Sequence, residues 1–335
     1  MKFSKTILVI LIFILPFLGT SLFLKSEYYF NFLRNQNGPS YFYLSYDWMK
    51  KIQLAMSLSN ENMTLILGSS RSAYTFDQKY ARPNLLNLSL MAASYNEIEL
   101  LSKAMSFNQI KAKKIYLELN PTSATLRHIK AMSVQSSDDI FGPYLANSPT
   151  TFIKRQLHKL SIYMNHSILR DAITQYFLEP NDIFDSYKKM KRAEHVKEFH
   201  EMNSSMYRGF LSSMKNSLEH YDRAFNECST MLNWIMSNDD SDDMTAGLSK
   251  FDSMIANLQR VAPEIIVWIP PSPPAKKYAA REELIINKLK MSAIKHNLKV
   301  IDLRAKLKLT DNDFFDCVHP DEHGAQILSN TLFKN

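Results

Sequence analysis

The sequence predicts an α/β fold built on a parallel sheet, and two observations carry that expectation. Five short apolar runs, at 63–67, 85–88, 114–119, 264–269 and 298–302, are mostly continuous rather than alternating, as strands covered on both faces are. Helical patterns lie between them, at 95–108 after the second run and at 279–296 between the fourth and fifth, with a closing helix at 322–333. A third feature interrupts this rhythm. The block 125–259 is charged and helical in pattern and holds no convincing strand, so it reads as a helical insertion between the third and fourth strands. It is either a solvated helical layer or a cap that shapes a substrate groove.

The N-terminus comes first in chain order. Residues 1–5 carry Lys2 and Lys5, and residues 6–24 carry no charge. As a helix that apolar run reaches roughly 28 Å, close to the hydrocarbon thickness of a bilayer. Lys25 ends it, and Lys25-Ser26-Glu27-Tyr28-Tyr29 is a poor cleavage site, which favours an uncleaved signal anchor over a removable signal peptide. The two lysines place 1–5 in the cytoplasm, so 6–24 is a single transmembrane span and the rest lies on the far side. In a Gram-negative cell that is the periplasmic face of the inner membrane. Residues 25–60 read as a juxtamembrane helical segment, 61–124 and 260–335 as the α/β core, and 125–259 as the insertion.

Composition narrows the function. Hydrophobic residues make up 45% of the 335, enough for a sizeable core, and 22% are charged, below the level of a disordered chain. The net charge is +7, but lysine and arginine are scattered among acids and no nucleic-acid motif appears. A basic surface facing anionic lipid or an acidic polymer fits that balance as well. Cys228 and Cys317 match no zinc or redox spacing; a disulfide between them is one reading and two free thiols the favoured one. The acidic run at 238–243 lacks EF-hand spacing.

In an open parallel sheet, ligands bind beyond the carboxyl ends of the strands. The first strand is followed by Gly68-Ser69-Ser70-Arg71, the second by Ser89 and Ala92-Ala93-Ser94, and the third by Asn120-Pro121. The fourth leads into a Pro-Pro-Ser-Pro-Pro bend at 270–274, and beyond the fifth lies Asp316-Cys317-Val318-His319. A serine hydroxyl is a weak nucleophile until an imidazole takes its proton and a carboxylate orients that imidazole. Ser70, His319 and Asp316 supply those three roles. Ser69 is the alternative nucleophile. Ser70 also suits a plain helix cap, and Asn120 a strand-end cap. Arg71 either binds an acidic substrate group or pairs with a carboxylate. His323 raises a metal reading with His319, Asp316 and Asp321, but no further well-spaced ligand set appears, and the triad reading invokes neither metal nor cofactor.

These residues resemble the SGNH/GDSL-type hydrolases. Gly68-Ser69-Ser70 matches the first block, with Ser69 where many members have aspartate. Asp316 and His319 match the Asp-x-x-His block, including Pro320 and Gly324. The resemblance covers about 60–124 and 260–335. It implies a flavodoxin-like three-layer fold, with the Ser70 amide, a second-block amide at Ala92 or Ala93 and the Asn120 side chain as oxyanion donors. Two departures stand out: the second block has Ala92-Ala93 instead of glycine, and the third reads Glu118-Leu119-Asn120-Pro121 instead of Gly-x-Asn-Asp. The anchor and the Gly-Ser-Ser-Arg opening are similar to the branch that acylates cell-surface polysaccharides. The implied function is serine-dependent acyl transfer on an exported carbohydrate, as O-acetyltransferase or acetylesterase, with carbohydrate or acyl ester as substrate and export or acylation proteins as partners. A non-catalytic scaffold or glycan-binding component is the alternative, and a lipid or thioester esterase the second.

Overall fold

A computed structural model describes residues 48, 51–52, 55–56, 62–76, 84–90, 93–125, 141, 144–145, 218–236, 241–273, 280–304 and 306–334. All of them belong to one compact unit comprising 47–145 and 189–335. The expected tail 1–5, the expected anchor 6–24 and most of 25–60 lie outside the described residues. Among the described residues no helix is long and apolar enough to cross a membrane.

The elements run β1 (Thr64–Leu67), α1 (Ser70–Thr75), β2 (Leu85–Asn87), α2 (Tyr95–Phe107), β3 (Lys114–Glu118), a 3-10 turn (Thr122–Ala124), α3 (Leu218–Met236), α4 (Ser241–Leu258), β4 (Glu264–Ile269), α5 (Ala280–Lys295), β5 (Lys299–Asp302), a second 3-10 turn (Asp311–Asp313) and α6 (Glu322–Lys334). The five strands form one sheet, every pair parallel, in the order β2-β1-β3-β4-β5. The chain order reverses at β1 and β3, and that switch point is where open α/β sheets hold their ligands.

The continuous apolar runs have a direct cause. Successive strand residues point to opposite faces, and both faces are covered. Leu65, Leu67, Ile115, Leu117, Ile265, Val267 and Ile269 join a larger core with α2, α4 and α5. Ile66, Tyr116, Ile266, Trp268 and Ile301 join a smaller core with Leu328 and Leu332 of α6. Leu88 and Leu119 fall just outside the strands, yet their N–H groups still donate to Ile66 and Trp268 carbonyls at 2.9 and 2.8 Å. α2 begins with a capping box, Ser94 and Glu97 satisfying each other's orphan donors.

Of the block 125–259, α4 is part of the core: Phe251, Met254, Ile255 and Leu258 are fully buried against α2 and the sheet. It is the crossover helix that a parallel β3–β4 connection requires. α3 packs Leu232 and Ile235 on Cys317 and Val318. Of 25–60, Trp48, Ile52 and Ala55 are helical and buried in the larger core.

Gly247 lies where α4 crosses the 3-10 turn after β3, and a Cβ there would overlap the Ala124 carbonyl. Alanine gains about 1 kcal/mol over glycine in a helix interior. Overpacking against a fixed backbone costs about 1–3 kcal/mol. Gly247→Ala therefore lowers stability despite its better propensity, and a urea unfolding midpoint at or above the wild-type value would contradict the packing described.

Candidate active site

The turn from β1 into α1 carries Ser70 at the first helical position. Ser69 holds the cap position, but its side chain makes no cap bond. The cap comes from β3 instead. Glu118, fully buried, accepts the Ser69 and Ser72 backbone N–H groups on Oε2 at 2.9 and 3.1 Å, the Ser72 hydroxyl on Oε2 at 2.6 Å and the Ser69 hydroxyl on Oε1 at 2.9 Å. A carboxylate is thus set at the start of α1, satisfying donors the helix leaves open. Gly68 has to be glycine for space: a Cβ would overlap Glu118 Oε2 and the Ser72 hydroxyl. The underside of the turn is held by Asn87 of β2, whose Nδ2 donates to the Ser72 and Phe76 carbonyls at 3.1 Å each.

The other half comes from the loop between β5 and α6. Ser70 Oγ lies 2.8 Å from His319 Nε2, and His319 Nδ1 lies 2.7 Å from Asp316 Oδ2. Asp316 Oδ1 accepts the Val318 and His319 backbone N–H groups at 2.8 Å each, so the carboxylate also folds its own loop. Burial works against the Asp316 charge, but the adjacent His319 and these hydrogen bonds outweigh it and hold the carboxyl below its usual range. An ionised Asp316 on Nδ1 keeps a proton there in the neutral ring and turns the Nε2 lone pair toward Ser70. Tyr74, one turn after Ser70, packs edge-on against the His319 ring with centroids 4.8 Å apart. The loop is fixed at its base by the Phe314–Pro320 bridge and by close approach of Gly324 to the Asp313 carbonyl.

The remaining expected residues divide. Asn120 is at the site: its Nδ2 donates to Ser69 Oγ at 3.0 Å, and its Oδ1 accepts from the Thr122 N–H and hydroxyl at 3.1 and 2.7 Å. Its backbone N–H donates to the Tyr95 hydroxyl, whose pKa burial pushes up. Ala92 lies outside the described residues. The Ala93 N–H is turned onto the Leu90 carbonyl at 3.4 Å, not presented as an open donor. Ser69, the alternative nucleophile, is committed to Glu118 and Asn120. Arg71 is buried, and among the described residues no carboxylate pairs with it. His323 Nδ1 lies 2.6 Å from Asp313 Oδ1, away from the triad. Among the described residues no cluster of three or more His, Cys, Asp or Glu could hold a metal ion.

Two features escaped the sequence reading. Glu118 stood out only as a mismatch to the third block. The available signal was an acidic residue closing an apolar strand, where an ionisable group has to find partners. Ser69 and the third-block departure at Glu118 belong together: the serine stands where the resembled pattern has aspartate, and a carboxylate reaches the same turn from β3. The second feature corrects the reading of free thiols. Cys228 of α3 and Cys317 form a disulfide, with Cα atoms 5.8 Å apart and 89 residues between them. No local motif signals it, because the pairing depends on α3 packing over the triad loop. That bond ties α3 to the residue beside Asp316.

Glu118→Ala leaves four donors with no acceptor, two of them backbone N–H groups, and lowers stability by about 3–5 kcal/mol. Ser72→Ala removes one of the four and costs about 1 kcal/mol. Equal losses in urea unfolding would overturn the assignment of Glu118 as the hub. Reducing the disulfide lowers the unfolding free energy by about 2–5 kcal/mol. A Cys228→Ser/Cys317→Ser chain starts from that lower value and does not respond to reductant, which a thermal melt with and without reductant reads. Searches against models of protein families, curated proteins and solved structures return no match to this chain.

Proposed function

We propose that the protein is a serine-dependent acyl-transfer enzyme acting on a carbohydrate ester outside the cytoplasm. The observation that carries this is the continuous hydrogen-bonded line from Ser70 Oγ through His319 to Asp316, with links of 2.8 and 2.7 Å. Its orientation is the productive one: a carboxylate on Nδ1 and a hydroxyl on Nε2. The sheet order supports the finer reading of a flavodoxin-like, SGNH-type fold, with the triad at the carboxyl ends of the strands.

In this mechanism Ser70 Oγ attacks the ester carbonyl while His319 Nε2 takes its proton. Asp316 holds the imidazole and stabilises its cation. Charge then builds on the carbonyl oxygen. The Ser70 N–H, at the first position of α1, has no acceptor within the helix. Asn120 Nδ2 keeps a second hydrogen beyond its bond to Ser69. These are two of the three donors that the resemblance implies, and the amide of Ala92 lies outside the described residues. His319 returns its proton to the departing alkoxide and leaves an acyl-Ser70 ester. Water resolves that intermediate in an esterase, and a sugar hydroxyl resolves it in an acetyltransferase. The disulfide supports an oxidising compartment. The apolar run at 6–24 supports delivery there as a single-pass inner-membrane protein.

The full-length chain in detergent, incubated with 4-nitrophenyl acetate, releases nitrophenol. Ser70→Ala lowers that rate at least about a thousandfold with an unchanged melting temperature. Equal turnover by Ser70→Ala and wild type would overturn the catalytic reading and leave the scaffold alternative.

A further inference from the structure

Arg71 is the residue after the proposed nucleophile, and it is 4% exposed. Its Nε has no hydrogen-bond partner, and no ion pair with its guanidinium occurs among the described residues. An arginine cannot shed its charge when buried. A buried ion without a counter-ion is among the costliest arrangements in a protein. The carboxylates at this edge are already engaged. Glu118 is filled by donors from Ser69 and Ser72, and Asp316 by His319 and Val318.

Other buried polar atoms at the same edge are also left open. Leu88 and Leu90 donate to the Ile66 and Gly68 carbonyls at 2.9 Å each, which lays the end of β2 alongside the Gly68 turn. Ser89, between them, has a fully buried hydroxyl with no partner. The Lys51 ammonium sits on the Ser89 carbonyl, adding positive charge to that strand end. Ser272, in the bend after β4, has a buried hydroxyl that is likewise unpartnered. Buried polar groups in native proteins are matched. Of the unmatched groups at this edge, the Arg71 guanidinium is the one that carries a charge, and so the one whose burial most needs a ligand.

We infer that Arg71 is the receptor for an anionic group of the substrate, a carboxylate or a phosphate carried by the saccharide beside the ester that Ser70 attacks. The placement of the ester rests on the acyl-transfer reading, whereas the need for an anion rests on Arg71 itself. The planar guanidinium suits two-point contact with either oxyanion. The substrate class is then an acidic polysaccharide, and a neutral glycan is selected against because it leaves the buried charge unmatched.

The test uses the full-length chain and three probes: trigalacturonate, its carboxyl-reduced neutral counterpart, and galactose 6-phosphate. Each competes against 4-nitrophenyl acetate hydrolysis. At least one acidic probe inhibits about tenfold more tightly than the neutral sugar, the scale of one charge-assisted contact. Which acidic probe does so separates carboxylate from phosphate. In Arg71→Gln that preference disappears, and without ligand the variant melts at a higher temperature than wild type because an unmatched charge is gone. Equal inhibition by acidic and neutral probes overturns the proposal, as does an acidic preference that survives in Arg71→Gln. A lower melting temperature for Arg71→Gln gives the guanidinium a structural partner and overturns it too. If hydrolysis is absent, the acyl-transfer reading fails alone, and calorimetric binding of the same probes to Ser70→Ala still decides the role of Arg71.

Discussion

The buried Glu118 carboxylate is the constraint on which the rest of the site depends. It enters the β1–α1 turn from the neighbouring strand and accepts four hydrogen bonds there. Gly68 follows from it, because no side chain fits beside the carboxylate. Ser69 and Ser72 follow as donors. The orientation of Asn120 follows through Ser69, whose hydrogen goes to Glu118 and whose lone pair is left for the Asn120 amide. Ser70 is the one serine of this turn whose hydroxyl is not bound to Glu118, and it is the one that meets His319.

The second half of the site is fixed by different means. The triad crosses 249 residues of sequence, and a parallel sheet makes such a meeting routine because every strand delivers its loop to the same edge. The Asp-x-x-His loop still needs its own support. Asp316 folds it locally through two backbone donors. α6 presses on it at Gly324, and the disulfide ties it to α3. The α3 contact is made by the segment that interrupts the strand–helix alternation. Part of that segment therefore holds the Asp316–His319 loop in place.

The sheet was legible because it is buried on both faces. Runs such as 264–269 show their apolar character without any partner being known, and all five predicted runs coincide with strands to within a residue at either end. The residues of the Ser70–His319–Asp316 line were legible because chemistry restricts them to three residue types at strand ends. Glu118 was not, since its four partners are defined only once β1 and β3 are neighbours, and a lone acid at a strand end has many explanations. The disulfide was hidden for the same reason, its two cysteines lying 89 residues apart with no spacing rule between them. Of the second-block amides, the Ala93 N–H turns back onto the Leu90 carbonyl at 3.4 Å, a local geometry that one sequence cannot reveal.

Glu118 and Arg71 show two ways of burying a charge in one turn. The carboxylate is saturated from within the protein, so its role is complete without ligand. The guanidinium, separated from Ser72 by no residue and from Ser70 by none, takes no share in that saturation. Pairing the two charges directly would have been the simplest way to offset both desolvation costs. The fold spends the Glu118 oxygens on serine and backbone donors instead. What this arrangement keeps open is a fixed positive charge one residue along the chain from Ser70, shielded from water and therefore stronger than the same charge at the surface. In the role we propose for it, such a charge discriminates between ligands more than it stabilises the fold, because its energy is recovered only when an anion arrives.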